Sequence, residues 1–202
     1  MDPFVDPEDV DLEMMRYKPN GWPMIPMFIE AVMRNGRVPE DYDMSHLLAA
    51  GAGCEAVNNN QLDRVQEFLH KHNCNVRFTV GYGSSEGGSN LTFQMAPKSV
   101  HNGNVGIPMP LNDMGVFKPG TQEELGYNEM GEICTVGPGN MLGYDRRSAT
   151  AKTLQRHADG KIWLHTGDIG YVDEDGVFYV LNRGAAFRYG GGELAVLPTT
   201  NA

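Results

Sequence analysis

Apolar positions follow two rhythms along the chain, and the change comes near Pro97. Before it, the spacing is helical. Val10, Met14 and Tyr17 fall at i, i+4 and i+7 behind Asp6-Pro7, a capping residue followed by proline at the first helical position. The segment KPNGWP breaks this helix. A second helix is predicted over Met24 to Arg34, with Ile25, Phe28, Ile29 and Val32 inward and Asn35-Gly36 as its stop. HLLAAGAG is a short apolar run ending in glycines, the pattern of a buried strand. Asn58 to Asn60 then offer N-caps, with Gln61 three residues after Asn58. Leu62, Val65, Phe68 and Leu69 mark a helical face ending near His72, and VRFTVGYG is again strand-like. Helix and strand in alternation predict a parallel sheet.

After Pro97 the runs are short and β-rich, separated by Gly, Pro and Asn: NVGIPMP, DMGVFK, GEICTVG, IWLHTGDIGYV and GVFYVLN. Asp173-Glu174-Asp175-Gly176 reads as a hairpin turn between two alternating strands. RRSATAKTLQRH interrupts as a short helix, and LPTTNA closes the chain as a loose end. The expected class is therefore α/β: part of a parallel-sheet α/β subdomain, then a small antiparallel β-barrel-like subdomain.

Charge narrows the chemistry. The formal net charge of -10 repels a phosphate backbone, which disfavours general nucleic-acid binding. A local site for one nucleotide is still allowed, because backbone amides and Mg²⁺ can offset the charge there. Cys54, Cys74 and Cys134 are odd in number and far apart, so neither a disulfide framework nor a zinc ribbon is expected. A reducing, cytoplasmic setting follows. MDPFVDPEDV has no apolar core, so it does not read as a signal peptide, and no apolar run is long enough for a membrane span.

Three motifs compete for the chemistry. Gly83-Ser84-Ser85-Glu86-Gly87 fits G-x-S-x-G, the nucleophile elbow, but the following GSNLTFQMAPKS is poor material for the helix an elbow needs. Ser85 could instead be a phosphate ligand or only part of a turn. Gly51-Ala52-Gly53-Cys54-Glu55-Ala56 matches a dinucleotide fingerprint, yet no acidic residue follows the second strand as that motif requires. The bland reading is glycines that let a strand turn into a helix. His70 and His72 sit at a helix end, where a surface role beside the dipole is expected rather than metal binding.

Read in order, LLAAGAG, VRFTVGYGSSEGG and WLHTGDIGYVDEDGVFYVLNR resemble the adenylate-forming enzymes, the acyl- and aryl-CoA ligase superfamily. RYKPNGWPMIPMFIEAVM is similar to the helix-strand-helix that precedes the family's adenine loop. Singly, each residue has an ordinary structural explanation: Tyr82 as core, Glu86 as a solvated turn residue, Asp168 as the start of a turn, Arg183 as a surface ion-pair partner. Together they carry the resemblance over nearly the whole chain.

The resemblance implies roles. The backbone of Gly51, Ala52 and Gly53 would line the adenine, and Tyr82 would stack on its face, with Gly83 beside it. Ser85, where the family has Thr, would donate to the α-phosphate. Glu86 would hold Mg²⁺, Asp168 would accept both ribose hydroxyls, and Val180 would pack on the nucleoside. Arg183 would bind ribose or phosphate oxygens through its planar fork. Ser85, Glu86 and Arg183 are the residues expected to act in catalysis. ATP or AMP, Mg²⁺ and coenzyme A are the implied cofactors and co-substrates, with a carboxylic acid as the other partner.

Some features depart from the family. Its phosphate loop would lie before residue 1, and its smaller domain with a catalytic lysine after the hinge. The hinge reads Asn182-Arg183-Gly184-Ala185-Ala186, and Cys54 replaces a proline common after the adenine loop. The implied reading is a fragment of the large domain: 1–97 a partial α/β nucleotide-binding subdomain, 98–193 a β-barrel subdomain ending at the hinge, 194–202 a tail. Alone, such a fragment is expected to be inactive and prone to self-association or to dependence on a missing domain. The alternative is a non-catalytic nucleotide-binding or protein-interaction module.

Overall fold

A computed structural model describes residues 6–94, 100–183, 187–190 and 193–196. The chain divides into two compact units, Met1–Gly81 with Ser99–Asn102, and Tyr82–Lys98 with Gly103–Ala202.

The first unit is a three-stranded sheet with helices between its strands. Asp6 caps the opening turn by accepting from the Glu8 amide at 2.9 Å, and α1 (Val10–Tyr17) follows. Strands β1 (Gly21–Met24), β2 (Ala49–Ala52) and β3 (Phe78–Val80) pair in that order, all parallel. Helix α2 (Pro26–Asn35) links β1 to β2, and α3 (Asn59–Lys71) links β2 to β3. The capping box at α3 forms as its spacing predicts: Asn58 accepts from the Gln61 amide at 2.9 Å, and the Gln61 side chain accepts from the Asn58 amide at 3.1 Å. Trp22, Ile29, Val32, Leu62, Leu69 and Phe78 are buried.

Four expectations are corrected here. Tyr17 does not face inward but is 58% exposed, because α1 stops at the left-handed Lys18 and leaves Tyr17 as its last residue. Met24 belongs to β1, since α2 begins with Pro26, whose missing N–H suits the first helical turn. Leu48 precedes β2 and is exposed rather than buried. His72 is buried, not on the surface. Its Nδ1 lies 3.0 Å from the Tyr42 carbonyl, and its ring meets Phe68 edge-on.

The second unit is antiparallel. Strands β6 (Thr92–Phe93), β7 (Asn104–Pro108), β8 (Asp113–Phe117), β9 (Gly131–Val136), β11 (Ile162–Val172) and β12 (Phe178–Arg183) form a sheet in the order β6-β7-β12-β11-β9-β8. The predicted helix over RRSATAKTLQRH is α4 (Arg147–Thr153) only. Leu154–Arg156 becomes β10, paired with β11. The predicted turn closes β11 to β12: Gly176 donates to the Asp173 carbonyl at 2.9 Å, and the Asp173 carboxylate accepts from the Asp175 and Val177 amides at 3.0 Å. Two small hairpins complete the unit, β4 (Gly83–Ser84) with β5 (Ser89–Asn90), and β13 (Phe187–Gly190) with β14 (Glu193–Val196). Pro97, Gly184 to Ala186 of the expected hinge, and the predicted tail LPTTNA lie outside the described residues.

Candidate functional site

The G-x-S-x-G segment forms one strand and the turn of the β4-β5 hairpin, and the described residues that follow it directly, through 94, contain no helix. This removes the strand-turn-helix frame of a nucleophile elbow. The Ser84 hydroxyl accepts from the Gly87 amide at 3.0 Å, which closes the turn and leaves Ser85 exposed at its crest. Glu86 is half-buried. Its backbone carbonyl accepts from Met141 at 2.7 Å, and its carboxylate accepts from the Tyr144 hydroxyl at 2.8 Å. The segment following β9 is thus moored to the hairpin at one residue. Backbone meets backbone beside it: a Cβ on Gly88, which has φ +81, would come within 2.5 Å of the Gly139 carbonyl oxygen. Any larger residue there would push the two segments apart.

The base of the same hairpin carries Tyr82. Its backbone carbonyl accepts from Leu91 and Thr92, and its amide donates to the Thr92 hydroxyl at 3.2 Å. The ring is buried, and the phenol O–H donates to Asp168 Oδ2 at 2.6 Å. Two residues 86 positions apart in sequence therefore meet directly, and Asp168 is only 6% exposed. A carboxylate held at such burial needs donors, and the phenol is one.

Asp168 reaches that position because β11 bulges. Between the pairs His165–Cys134 and Ile169–Glu132, the residues Thr166, Gly167 and Asp168 face Ile133 alone. The extra residues are pinned at each end. Thr166 Oγ1 donates to the Ile133 carbonyl at 2.7 Å and accepts from the Asp168 amide at 3.1 Å. The Gly167 amide donates to Glu132 Oε1 at 3.0 Å, with Gly167 at φ +75.

Behind the bulge lies a buried polar row. Glu132 Oε2 is 2.9 Å from His165 Nδ1, and His165 Nε2 is 2.9 Å from His157 Nε2. With Nδ1–H donated to Glu132, one proton shared between the two Nε2 atoms satisfies both rings. Burial and then the neighbouring His165 push the His157 imidazole below its ordinary value. Its ring stacks on Trp163, and Phe117 meets both edge-on. Cys134 Sγ lies 3.5 Å from His165 Nδ1. Burial, then the Glu132 charge, push its thiol far above the usual range. Glu132, Cys134 and His165 present three ligand atoms within 4.8 Å of one another. Of these three, His165 and Glu132 are already bonded to one another through Nδ1 and Oε2.

The other predicted positions fall as follows. Gly51 and Ala52 end β2 in the first unit, and Gly53 follows it. A Cβ on Gly51 would sit 2.6 Å from Thr79 Oγ1, so packing against β3 already requires glycine there. Val180 is half-buried in β12, opposite Gly170. Arg183 stands opposite Asp168 in the β11–β12 register, and its side chain lies outside the described residues. The structure thus brings Tyr82 to Asp168, and Ser85 and Glu86 onto one turn. Sequence reading missed Tyr144, Thr166 and Glu132. Tyr144 and Glu132 reach their partners across long gaps in the chain, which local periodicity does not register.

Comparison with known proteins finds the AMP-binding enzyme family over residues 1–145. The chain is 30% identical over 175 residues to 4-coumarate-CoA ligase 2 of Nicotiana tabacum, covering 84% of this chain and 31% of that protein. It thus spans about a third of that relative's length. Among solved structures it is similar to a long-chain-fatty-acid-CoA ligase of Archaeoglobus fulgidus, with TM-score 0.77 and 23% identity over 89% of this chain and 37% of that one. ATP-bound MatB of Rhodopseudomonas palustris aligns with TM-score 0.76 and 24% identity, over 97% of this chain and 37% of that one. These likenesses agree with the mixed fold, a parallel sheet with helices followed by an antiparallel sheet.

Proposed function

We propose that this chain, which belongs to the AMP-binding enzyme family, carries the nucleoside-binding part of a ligase that activates a carboxylic acid as its acyl-adenylate and passes the acyl group to a thiol. One observation carries the reading: the 2.6 Å hydrogen bond by which the buried Tyr82 phenol orients the Asp168 carboxylate. A carboxylate fixed on one oxygen by a rigid donor is suited to accept from a pair of ribose hydroxyls. The Tyr82 ring beside it offers a flat apolar face to adenine. The resemblance also assigns the backbone of Gly51, Ala52 and Gly53 to the adenine, Val180 to the nucleoside, and Arg183 to ribose or phosphate oxygens.

In the first step a carboxylate oxygen attacks the α-phosphorus of ATP. The bond to pyrophosphate breaks and acyl-adenylate forms. In the second, the sulfur of a thiol attacks the acyl carbon, AMP departs, and the thiol proton is released. Coenzyme A is the proposed thiol, in line with the ligase relative's name. Ser85, exposed at the crest of its turn, donates to the α-phosphate. Mg²⁺ fits Glu86, a hard carboxylate oriented by Tyr144, because this ion takes one or two carboxylates and fills its other positions with water and substrate phosphate. When bound, it would neutralise charge on the phosphates. Three thiols without disulfides suit the reducing, cytoplasmic setting included in this proposal.

The test is calorimetric titration of the chain with AMP and with a non-hydrolysable acyl-adenylate analogue, with and without Mg²⁺. Saturable binding that weakens by about tenfold or more in Asp168→Ala is expected, the size of a lost hydrogen bond to a charged group. A folded chain that binds neither ligand overturns the reading and leaves a module without a nucleotide.

A further inference from the structure

We infer that Glu132 is a positioning residue for the nucleoside site: its carboxylate holds the β11 bulge in the shape that presents Asp168, and it does so through the Gly167 amide. The inference rests on the proposed ribose role of Asp168 and deepens it. Four observations lead to it. The bulge places three residues of β11 against one of β9, and pairing with β12 reaches back only as far as Asp168, so strand pairing alone does not define the path of Thr166 and Gly167. Gly167, at its centre, has φ +75 and open space where a Cβ would lie, so no close packing on that side holds it. Its amide is instead held at 3.0 Å by Glu132 Oε1. The other oxygen, Oε2, is held at 2.9 Å by His165, which is backed in turn by His157.

Glu132 sits on β9, whose pairing with β8 is continuous in register from Asp113–Val136 to Phe117–Glu132. The carboxylate therefore hangs from a regular ladder and reaches across to the irregular one. Asp168 follows Gly167 directly, so a rotation of the Gly167 peptide turns the Asp168 side chain away from Tyr82. A glutamine at 132 keeps the contact: its amide oxygen accepts from Gly167, and its NH₂ donates to His165 Nδ1. The His165 Nε2–H then donates to His157 Nε2, so the row stays satisfied with the tautomers of both histidines changed.

The experiment compares AMP with 2′,3′-dideoxy-AMP as titrants of the full 202-residue chain. Their affinity ratio reads the hydroxyl contacts alone. Glu132→Ala is expected to cut that ratio by about tenfold, the worth of a hydrogen bond to a charged group. It should leave dideoxy-AMP affinity within about twofold of wild type. Glu132→Gln should restore the ratio. Loss of both affinities in parallel would mark a general structural role and overturn the inference. So would an unchanged ratio in Glu132→Ala beside a wild type that discriminates. A wild type that binds both nucleotides equally overturns the ribose reading and this inference together. Amide exchange supplies a readout without ligand. The Gly167 amide should exchange about tenfold faster in Glu132→Ala, or in Glu132→Met if alanine does not fold, while Val116 in the core is unchanged. Equal Gly167 exchange in wild type and variant overturns the holding contact itself.

Discussion

Cys54 holds φ 72 in the loop after β2. That conformation costs an L-residue about 1–2 kcal/mol, and proline, fixed at about -65°, cannot adopt it. Cys54→Gly should therefore raise stability in urea by about 1 kcal/mol, and Cys54→Pro should lower it; three equal midpoints would refute the strain. His157 gives a second test. Its folded value is depressed, first by burial and then by His165, so as pH falls the unfolded chain takes up this proton before the folded one does. The stability it contributes is whole above the unfolded value of about 6.5 and is lost as pH falls through the folded value. The urea midpoint of wild type should fall more steeply than that of His157→Asn between roughly pH 7 and pH 5.5; parallel profiles would refute it. Ser85, Glu86 and Asp168 can be proposed from the sequence because each stands in a short ordered motif. Glu132 and Tyr144 were not, because their partners lie 33 to 58 residues away and only the sheet brings them together.

Elements with strong local signals are legible in periodicity, and features set by their partners are not. Helix α3 announced itself through Asn58 and Gln61. Asn58→Ala should cost about 1 kcal/mol by removing the acceptor for the Gln61 amide, measured by urea denaturation. An unchanged midpoint would mean that the cap adds nothing to the packed face of Leu62, Val65 and Leu69. Periodicity does not show strand β1, because Gly21 and Pro23 both argue against a strand; only the helix-strand-helix resemblance of this segment marks it. It exists because it is the edge of its sheet, where proline leaves no ladder bond broken. β11 was read as one uninterrupted strand, and its ends are right. Its bulge is held by the Ile133 carbonyl and the Glu132 carboxylate of β9, and nothing in the alternation of IWLHTGDIGYV marks it.

At the scale of the molecule, the chain spans about a third of the length of the ligase relative it matches. The 202-residue chain is expected to bind AMP yet release no pyrophosphate from ATP and a carboxylate, because the resemblance places the phosphate loop and the catalytic lysine in other segments. Pyrophosphate release above a no-protein control would refute this. Supplying those segments in a separate chain should restore release in the ligase reading and leave it at zero for a non-catalytic module. The path between the two units carries one more consequence. The polypeptide leaves the first unit at Gly81 and comes back to it for Ser99–Asn102. There His101 meets Asp63 at 2.8 Å, and Asn102 and Asn59 exchange two hydrogen bonds at 2.9 Å. The return is a stitch: one snip does not lift the first unit out whole, and any transplant cut at a single boundary leaves its closing thread behind.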